Sequence, residues 1–282
     1  MSSRRRRSKP VNDRYDTKTI AFWSFMVVAI VAAAVMYFAA EQKTPAVNAG
    51  PQYTPNIAAA TGSQSLSALP DLLADPARPI TITILGDSTG NEQGEWVYLV
   101  AKKVQADYRR PVTVHDWSIE ANAYVGENTF GVASTAAPVE IWNGSASGKD
   151  ASYTIANYQA LAPAPSDLVF INHGHNHTNP QSTVAGVREL VRLSRAGTQP
   201  PPAIGVVLQN PRVDGSAENQ AAKIDTIRQT FDEWSGVEVV DVYTAFEERG
   251  DVRPLLRPDG FHPSDEGSLV WAAVTEQALG LP

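Results

Sequence analysis

The sequence predicts a three-layer α/β/α sandwich on a mostly parallel five-stranded sheet, preceded by one transmembrane helix. Three observations carry this. From residue 79 onward, β-branched apolar runs alternate with longer segments of helical periodicity, the pattern of a parallel sheet covered on both faces. The segments richest in Ser, His, Asp and Asn follow those runs, on the sheet edge where open α/β folds place their ligands. A span-length uncharged stretch stands near the N-terminus behind a basic leader.

Taken in order, strands are expected over residues 80–85, 112–117, 167–172, 203–209 and 238–241. Helices are expected over 95–108, 183–195, 218–234 and 265–279. The stretch 118–164 is long for one crossover and holds Tyr124, Phe130, Trp142, Tyr153 and Tyr158 among small residues. Two readings stand for it: a substrate-facing loop, or an insertion that packs its own apolar patch on the domain.

Residues 1–19 form a basic leader with seven Lys and Arg side chains, and residues 20–40 carry no charge. As a helix those residues would span about 31 Å, close to the hydrocarbon thickness of a bilayer. Trp23, Tyr37 and Phe38 lie near its ends, and the bases in front place the N-terminus in the cytoplasm. A single-pass signal-anchor is expected, with the rest of the chain outside the cytoplasm. The alternative is a signal cleaved near Val47-Asn48-Ala49, which yields a secreted protein. Residues 41–78, rich in Ala, Pro, Thr and Ser, read as a flexible tether in which Leu66 to Leu73 form a short helix against the domain. The folded domain is expected over 79–282.

The chain has 282 residues, 43% hydrophobic content and a net charge of −7. With the basic excess confined to the leader, the outer domain is more acidic than the whole, which disfavours a nucleic-acid partner. The absence of cysteine excludes lipoprotein attachment and disulfides.

Gly86-Asp87-Ser88 breaks the first β-branched run, and Asp259-Gly260-Phe261-His262-Pro263 stands just before the last helix. Separately each is a common turn: the serine could cap a helix, and the second motif could be a polar turn with Ser264 as N-cap. Together they supply a hydroxyl, an imidazole to take its proton, and a carboxylate close enough to orient that imidazole. Asp87 reads as a turn-shaping residue. His173, His175 and His177 alternate and raise metal binding as an alternative. The upstream Asp-x-His, Gly-Asp-x-x-Asp and Asn-His-Glu/Asp motifs of calcineurin-like metallophosphatases, which share a Gly-His-x-His stretch, are missing. Those histidines are therefore read as shaping the cleft and holding Asn176. Gln209-Asn210-Pro211-Arg212 ends the fourth strand on the same edge, as cleft lining or as a turn.

With Gly174-His175-Asn176-His177 between them, the two motifs resemble the SGNH (GDSL-like) hydrolase superfamily over residues 79–279. The resemblance implies a flavodoxin-like sandwich and a serine esterase without metal or organic cofactor. It implies Ser88 as nucleophile, His262 as general base and later acid, and Asp259 as the orienting anion. Asn176 is implied as an oxyanion donor, joined by a backbone N–H that aligns with Ala121 in the segment 116–122. Thr89 and His177 depart from the residues usual at their positions. A membrane-tethered enzyme of this kind is expected to act on an acylated cell-envelope glycan or another ester-bearing small molecule. A lipid esterase or thioesterase is the alternative, and a non-catalytic glycan-binding module a third.

Overall fold

The computed structural model describes residues 64–282 apart from Ala133, Gly197 and Glu233. The leader, the stretch 20–40 read as a membrane span, and most of the tether lie outside the described residues. Among the described residues no helix is long and apolar enough to cross a membrane.

Every strand and helix expected from periodicity is present, to within a few residues at its ends. A 3₁₀ turn Leu66–Ala68 leads into α1 (Leu69–Ala74), β1 (Ile80–Gly86), α2 (Trp96–Tyr108) and β2 (Val112–Ser118). Then come β3 (Ala123–Phe130), β4 (Val139–Asn143), α3 (Ala151–Ala156), α4 (Tyr158–Leu161) and β5 (Leu168–Asn172). The chain continues through α5 (Pro180–Arg195), β6 (Ala203–Leu208), α6 (Ala217–Phe231), β7 (Val237–Asp241), α7 (Val242–Glu247) and α8 (Asp265–Ala278).

Among the described residues the sheet has seven strands, not five, in the order β3-β2-β4-β1-β5-β6-β7. All pairings are parallel except β2 with β3. The two extra strands come from the stretch 118–164, which is therefore built into the sheet for part of its length rather than being one long crossover loop. β3 escaped the sequence pattern because it is the edge strand, exposed at every second residue and carrying Glu127, Asn128 and Thr129. β4 is only five residues long, with Val139, Ile141 and Asn143 buried.

Alternate residues of the central strands feed two cores. Ile80, Ile82 and Ile84 of β1 join Leu168 and Phe170 of β5 against α2 and α8, where Trp96 and Trp271 stack with ring centroids 6.0 Å apart. Leu85, Val169, Ile171, Ile204 and Val206 meet α5 and α6 on the other face through Val187, Leu190, Val191, Ile224 and Ile227. Buried on both faces, β5 reads as the apolar run Leu168-Val169-Phe170-Ile171, whereas in β1 the polar Thr83 is as buried as the isoleucines beside it. Part of the presumed tether belongs to this core: Leu66, Leu69 and Leu73 are buried, and the Leu66 N–H donates to Glu238 Oε1 at 2.6 Å.

The strand order reverses at β1. From there the chain builds outward through β2–β4 on one side and through β5–β7 on the other. The crevice at the carboxyl end of β1 is therefore flanked by the loops that follow β4 and β5.

Candidate active site

Past Gly86 the chain makes a tight turn closed by the buried Asp87. Asp87 Oδ1 accepts from the Thr89 N–H at 3.1 Å and the Thr89 hydroxyl at 2.9 Å, and Oδ2 accepts from Gln209 Nε2 at 3.0 Å. Burial pushes the Asp87 carboxyl above its ordinary value, against the opposing pull of these bonds. The side chain thus shapes the turn, as its position in the motif suggested. It leaves Ser88 at the rim, 9% exposed, with Oγ 2.8 Å from His262 Nε2.

His262 lies on the loop between the 3₁₀ turn Arg253–Leu255 and α8. The loop closes on itself: Leu256 bridges Pro263, the Arg257 N–H donates to the His262 carbonyl at 2.8 Å, and the Gly260 N–H donates to the Arg257 carbonyl at 2.9 Å. Gly260 sits at φ +79°, a conformation costly for a residue with a Cβ. Asp259 Oδ1 accepts from the Phe261 and His262 amides at 3.1 and 3.0 Å, and Oδ2 lies 2.7 Å from His262 Nδ1. Burial acts to raise the Asp259 carboxyl, but the bonds from His262 and the two amides outweigh it and hold it below its ordinary value. The Arg257 side chain ties the loop to the segment that follows Ser88. Its Nε donates to the Pro263 carbonyl at 2.9 Å, and one guanidinium nitrogen lies 2.8 Å from Glu92 Oε2 and 3.6 Å from Glu95 Oε1.

Asn176 follows β5, half-buried, and its Nδ2 donates to the Lys149 carbonyl at 3.1 Å. An amide nitrogen carries two hydrogens, so one remains for another acceptor. Lys149 belongs to the loop after β4, which runs along the end of β1: the Gly144 N–H donates to the Ile84 carbonyl at 2.9 Å and the Ala146 N–H to the Gly86 carbonyl at 3.0 Å. At the exposed crest of that loop Gly148 stands at φ +71°, with open space where a Cβ would project.

Ala121 does not take the place the resemblance gave it. It lies in the turn of the antiparallel β2–β3 hairpin, exposed, with its N–H donating to Ser118 Oγ at 3.1 Å. β4 separates β2 from β1, a shift of about 5 Å per strand along the sheet. The loop beside the Ser88 turn is therefore 144–150, not 116–122. Its signal was in the sequence: Val139 and Ile141 alternate into Asn143-Gly144-Ser145-Ala146-Ser147-Gly148, an apolar run breaking into small residues as the first strand does.

The three alternating histidines face three different partners. His173 Nε2 lies 2.9 Å from Thr154 Oγ1, His175 Nε2 lies 3.3 Å from Asn210 Oδ1, and His177 Nε2 accepts from the Ala151 N–H at 3.2 Å. Burial pushes His173 and His175 down to about 3 and lowers His177 as well, so these rings are held neutral. Among the described residues no three His, Cys, Asp or Glu side chains are gathered as metal ligands would be.

Gln209, left open between cleft lining and turn, is a buried junction. Its Oε1 accepts from the His175 N–H at 2.7 Å, and its Nε2 lies 3.0 Å from both Asp87 Oδ2 and Asn172 Oδ1. One amide thus joins the Ser88 turn to the Asn176 loop. Nothing in the sequence around Gln209 marks that role, because its partners are remote in the chain.

A carboxylate, an imidazole and a hydroxyl in hydrogen-bonded series, at the switch point of a parallel sheet, form the arrangement of the α/β serine hydrolases as a class. The model of the GDSL-like Lipase/Acylhydrolase family matches residues 82–269, and the chain belongs to that family, within the SGNH hydrolase superfamily. It is a carboxylic ester hydrolase. No curated protein matches it by sequence. Several solved structures share its fold. An acetylxylan esterase from Geobacillus stearothermophilus superposes with a TM-score of 0.54 at 17% identity, over 74% of this chain and 97% of that one. An α/β hydrolase enzyme from the metagenome of Lake Arreo, Spain, gives 0.53 at 17% identity, over 72% and 96%. A carbohydrate esterase family 3 structure from Talaromyces cellulolyticus gives 0.52 at 19% identity, over 71% and 96%.

Proposed function

We propose that this hydrolase cleaves carboxylic esters by acyl transfer through Ser88. His262 Nε2 takes the hydroxyl proton as Ser88 Oγ attacks the carbonyl carbon. Asp259 holds the proton on Nδ1 and stabilises the imidazolium that forms. The charge developing on the carbonyl oxygen is received by the second hydrogen of Asn176 Nδ2, the Ser88 N–H and the Gly148 N–H. His262 then protonates the leaving alcohol. In the second half His262 activates water, which attacks the acyl-enzyme, releases the acid and returns the proton to Ser88.

The observation that carries this is the unbroken series Asp259–His262–Ser88, with contacts of 2.7 and 2.8 Å. Its test is labelling by a fluorophosphonate probe. The wild type should react at Ser88, whereas Ser88→Ala should neither react nor turn over p-nitrophenyl acetate, while keeping its melting temperature. A Ser88→Ala enzyme with undiminished turnover would sink the mechanism.

The substrate we infer is an O-acylated glycan of the cell envelope, reached from a membrane anchor at residues 20–40. Support comes from the uncharged span behind a basic leader, and from fold neighbours described as an acetylxylan esterase and as a two-domain esterase active on acetylated mannans. A panel of acetylated xylan and mannan oligosaccharides against long-chain acyl esters and acyl thioesters tests it. A preference for the long acyl chains would move the assignment to a lipid esterase, and a preference for thioesters to a thioesterase.

A further inference from the structure

α6 carries a lysine that the mechanism does not use. Lys223 is 1% exposed, and its Nζ lies 2.6 Å from the Gly174 carbonyl oxygen, 3.1 Å from that of His177 and 3.4 Å from that of His175. Among the described residues no carboxylate lies within ion-pair distance of it. A buried ammonium without a counter-ion is costly, and an apolar side chain of similar length would fill the space without that penalty. What the charge gains is three carbonyls, all from the loop that carries Asn176.

The geometry of that loop follows from where its carbonyls point. The His177 N–H donates to the Gly174 carbonyl at 3.2 Å, making a tight turn with Asn176 inside it. A trans peptide sets its C=O and N–H in opposite directions. Turning the Gly174 carbonyl toward Lys223 therefore turns the His175 N–H away, onto Gln209 Oε1. Arg212 reinforces the same face by donating to the His175 carbonyl at 3.2 Å.

We propose that Lys223 is a positioning residue of the oxyanion site: its ammonium gathers the carbonyls of Gly174, His175 and His177 and thereby sets the direction of the Asn176 amide. The proposal rests on Asn176 being an oxyanion donor. The charged and titratable groups around Lys223 are His175 and His177 from the loop after β5, Arg212 and Asp214 from the loop after β6, and Asp87 from the turn after β1. Burial, then the Arg212 charge, pull Lys223 down to about 8, against Asp87 and Asp214. The clamp should loosen on the alkaline side of neutrality.

A kinetic double-mutant cycle on p-nitrophenyl acetate tests this. Removing an oxyanion donor costs roughly 10²–10³ in kcat, and misdirecting it should cost a fraction of that. Lys223→Met should lower kcat roughly tenfold with KM changed less than about twofold, and in an Asn176→Ala background it should change kcat less than about twofold. Equal losses in both backgrounds would make Lys223 merely structural, and no loss in the wild-type background would refute the role outright. Should Asn176→Ala alone leave kcat unchanged, the oxyanion assignment itself fails and takes the positioning role with it, a result read from that single variant. Should Lys223→Met not fold, Lys223→Arg supplies the test. Its charge persists at high pH, so the alkaline fall in kcat near pH 8 should move upward. An unmoved limb overturns the proposal.

Discussion

Asp259→Asn is the substitution whose effect the structure specifies most closely. The side chain is preserved in shape, and the loop dictates how the new amide must lie. Oδ1 accepts two backbone N–H groups, from Phe261 and His262, at 3.1 and 3.0 Å. An asparagine keeps those bonds only by placing its carbonyl oxygen there, which leaves its NH₂ facing His262 Nδ1 at the 2.7 Å contact. Two donors cannot face each other, so the imidazole shifts its proton to Nε2. Nε2 then donates toward Ser88 Oγ instead of accepting from it. In serine proteases this tautomer error costs about 10⁴ in kcat, or about 5 kcal/mol at 1.36 kcal/mol per decade. Here the carboxylate is 40% exposed on its side chain, so water can solvate a rotated amide and part of the loss is recovered. A fall of roughly 10³ in kcat is expected, with KM changed little, since the error acts on proton transfer. Turnover of p-nitrophenyl acetate at fixed pH measures it, with slower fluorophosphonate labelling of an intact Ser88 as the control. A kcat within a few-fold of wild type would refute the orienting role. Asp241 is committed elsewhere, capping α7 and pairing with Arg228.

Two further outcomes are expected. Glu95, 1% exposed at the start of α2, has its carboxyl raised by burial from 4.5 to about 7. The folded state therefore favours the protonated acid. The stability it contributes is complete below about pH 4.5 and is lost as the pH rises through about 7, a loss of about 3 kcal/mol. Glu95→Gln should melt close to wild type at pH 5 and clearly above it at pH 8; parallel melting curves for the two proteins across that window would contradict the assignment. Protease added to intact cells should release or degrade the C-terminal domain and spare the basic leader, and protection until lysis would place the domain in the cytoplasm.

What could be read without coordinates follows from which interactions are local. Leu168 to Ile171 form a continuous apolar run because β5 is buried on both faces, and Ile80 to Leu85 are β-branched at every position but the last, so composition and length found both. Asp259 and His262 were legible because three residues suffice for a carboxylate to reach an imidazole within one loop. Ser88 was legible because a strand breaking into Gly-Asp-Ser leaves a hydroxyl at a sheet edge. The tertiary structure decided everything that depends on which strands are neighbours. β4 enters between β1 and β2, so the loop ending in Gly148 and Lys149, not the one holding Ala121, lies beside Ser88. Gln209 joins the turn of Asp87 to the loop of His175 across more than 30 residues in one direction and 120 in the other, and Lys223 reaches three carbonyls of a loop more than 40 residues away. Side chains such as these carry no local period or motif, because their partners are chosen by strand order and helix packing, and those are set only when the whole sheet closes around its two cores.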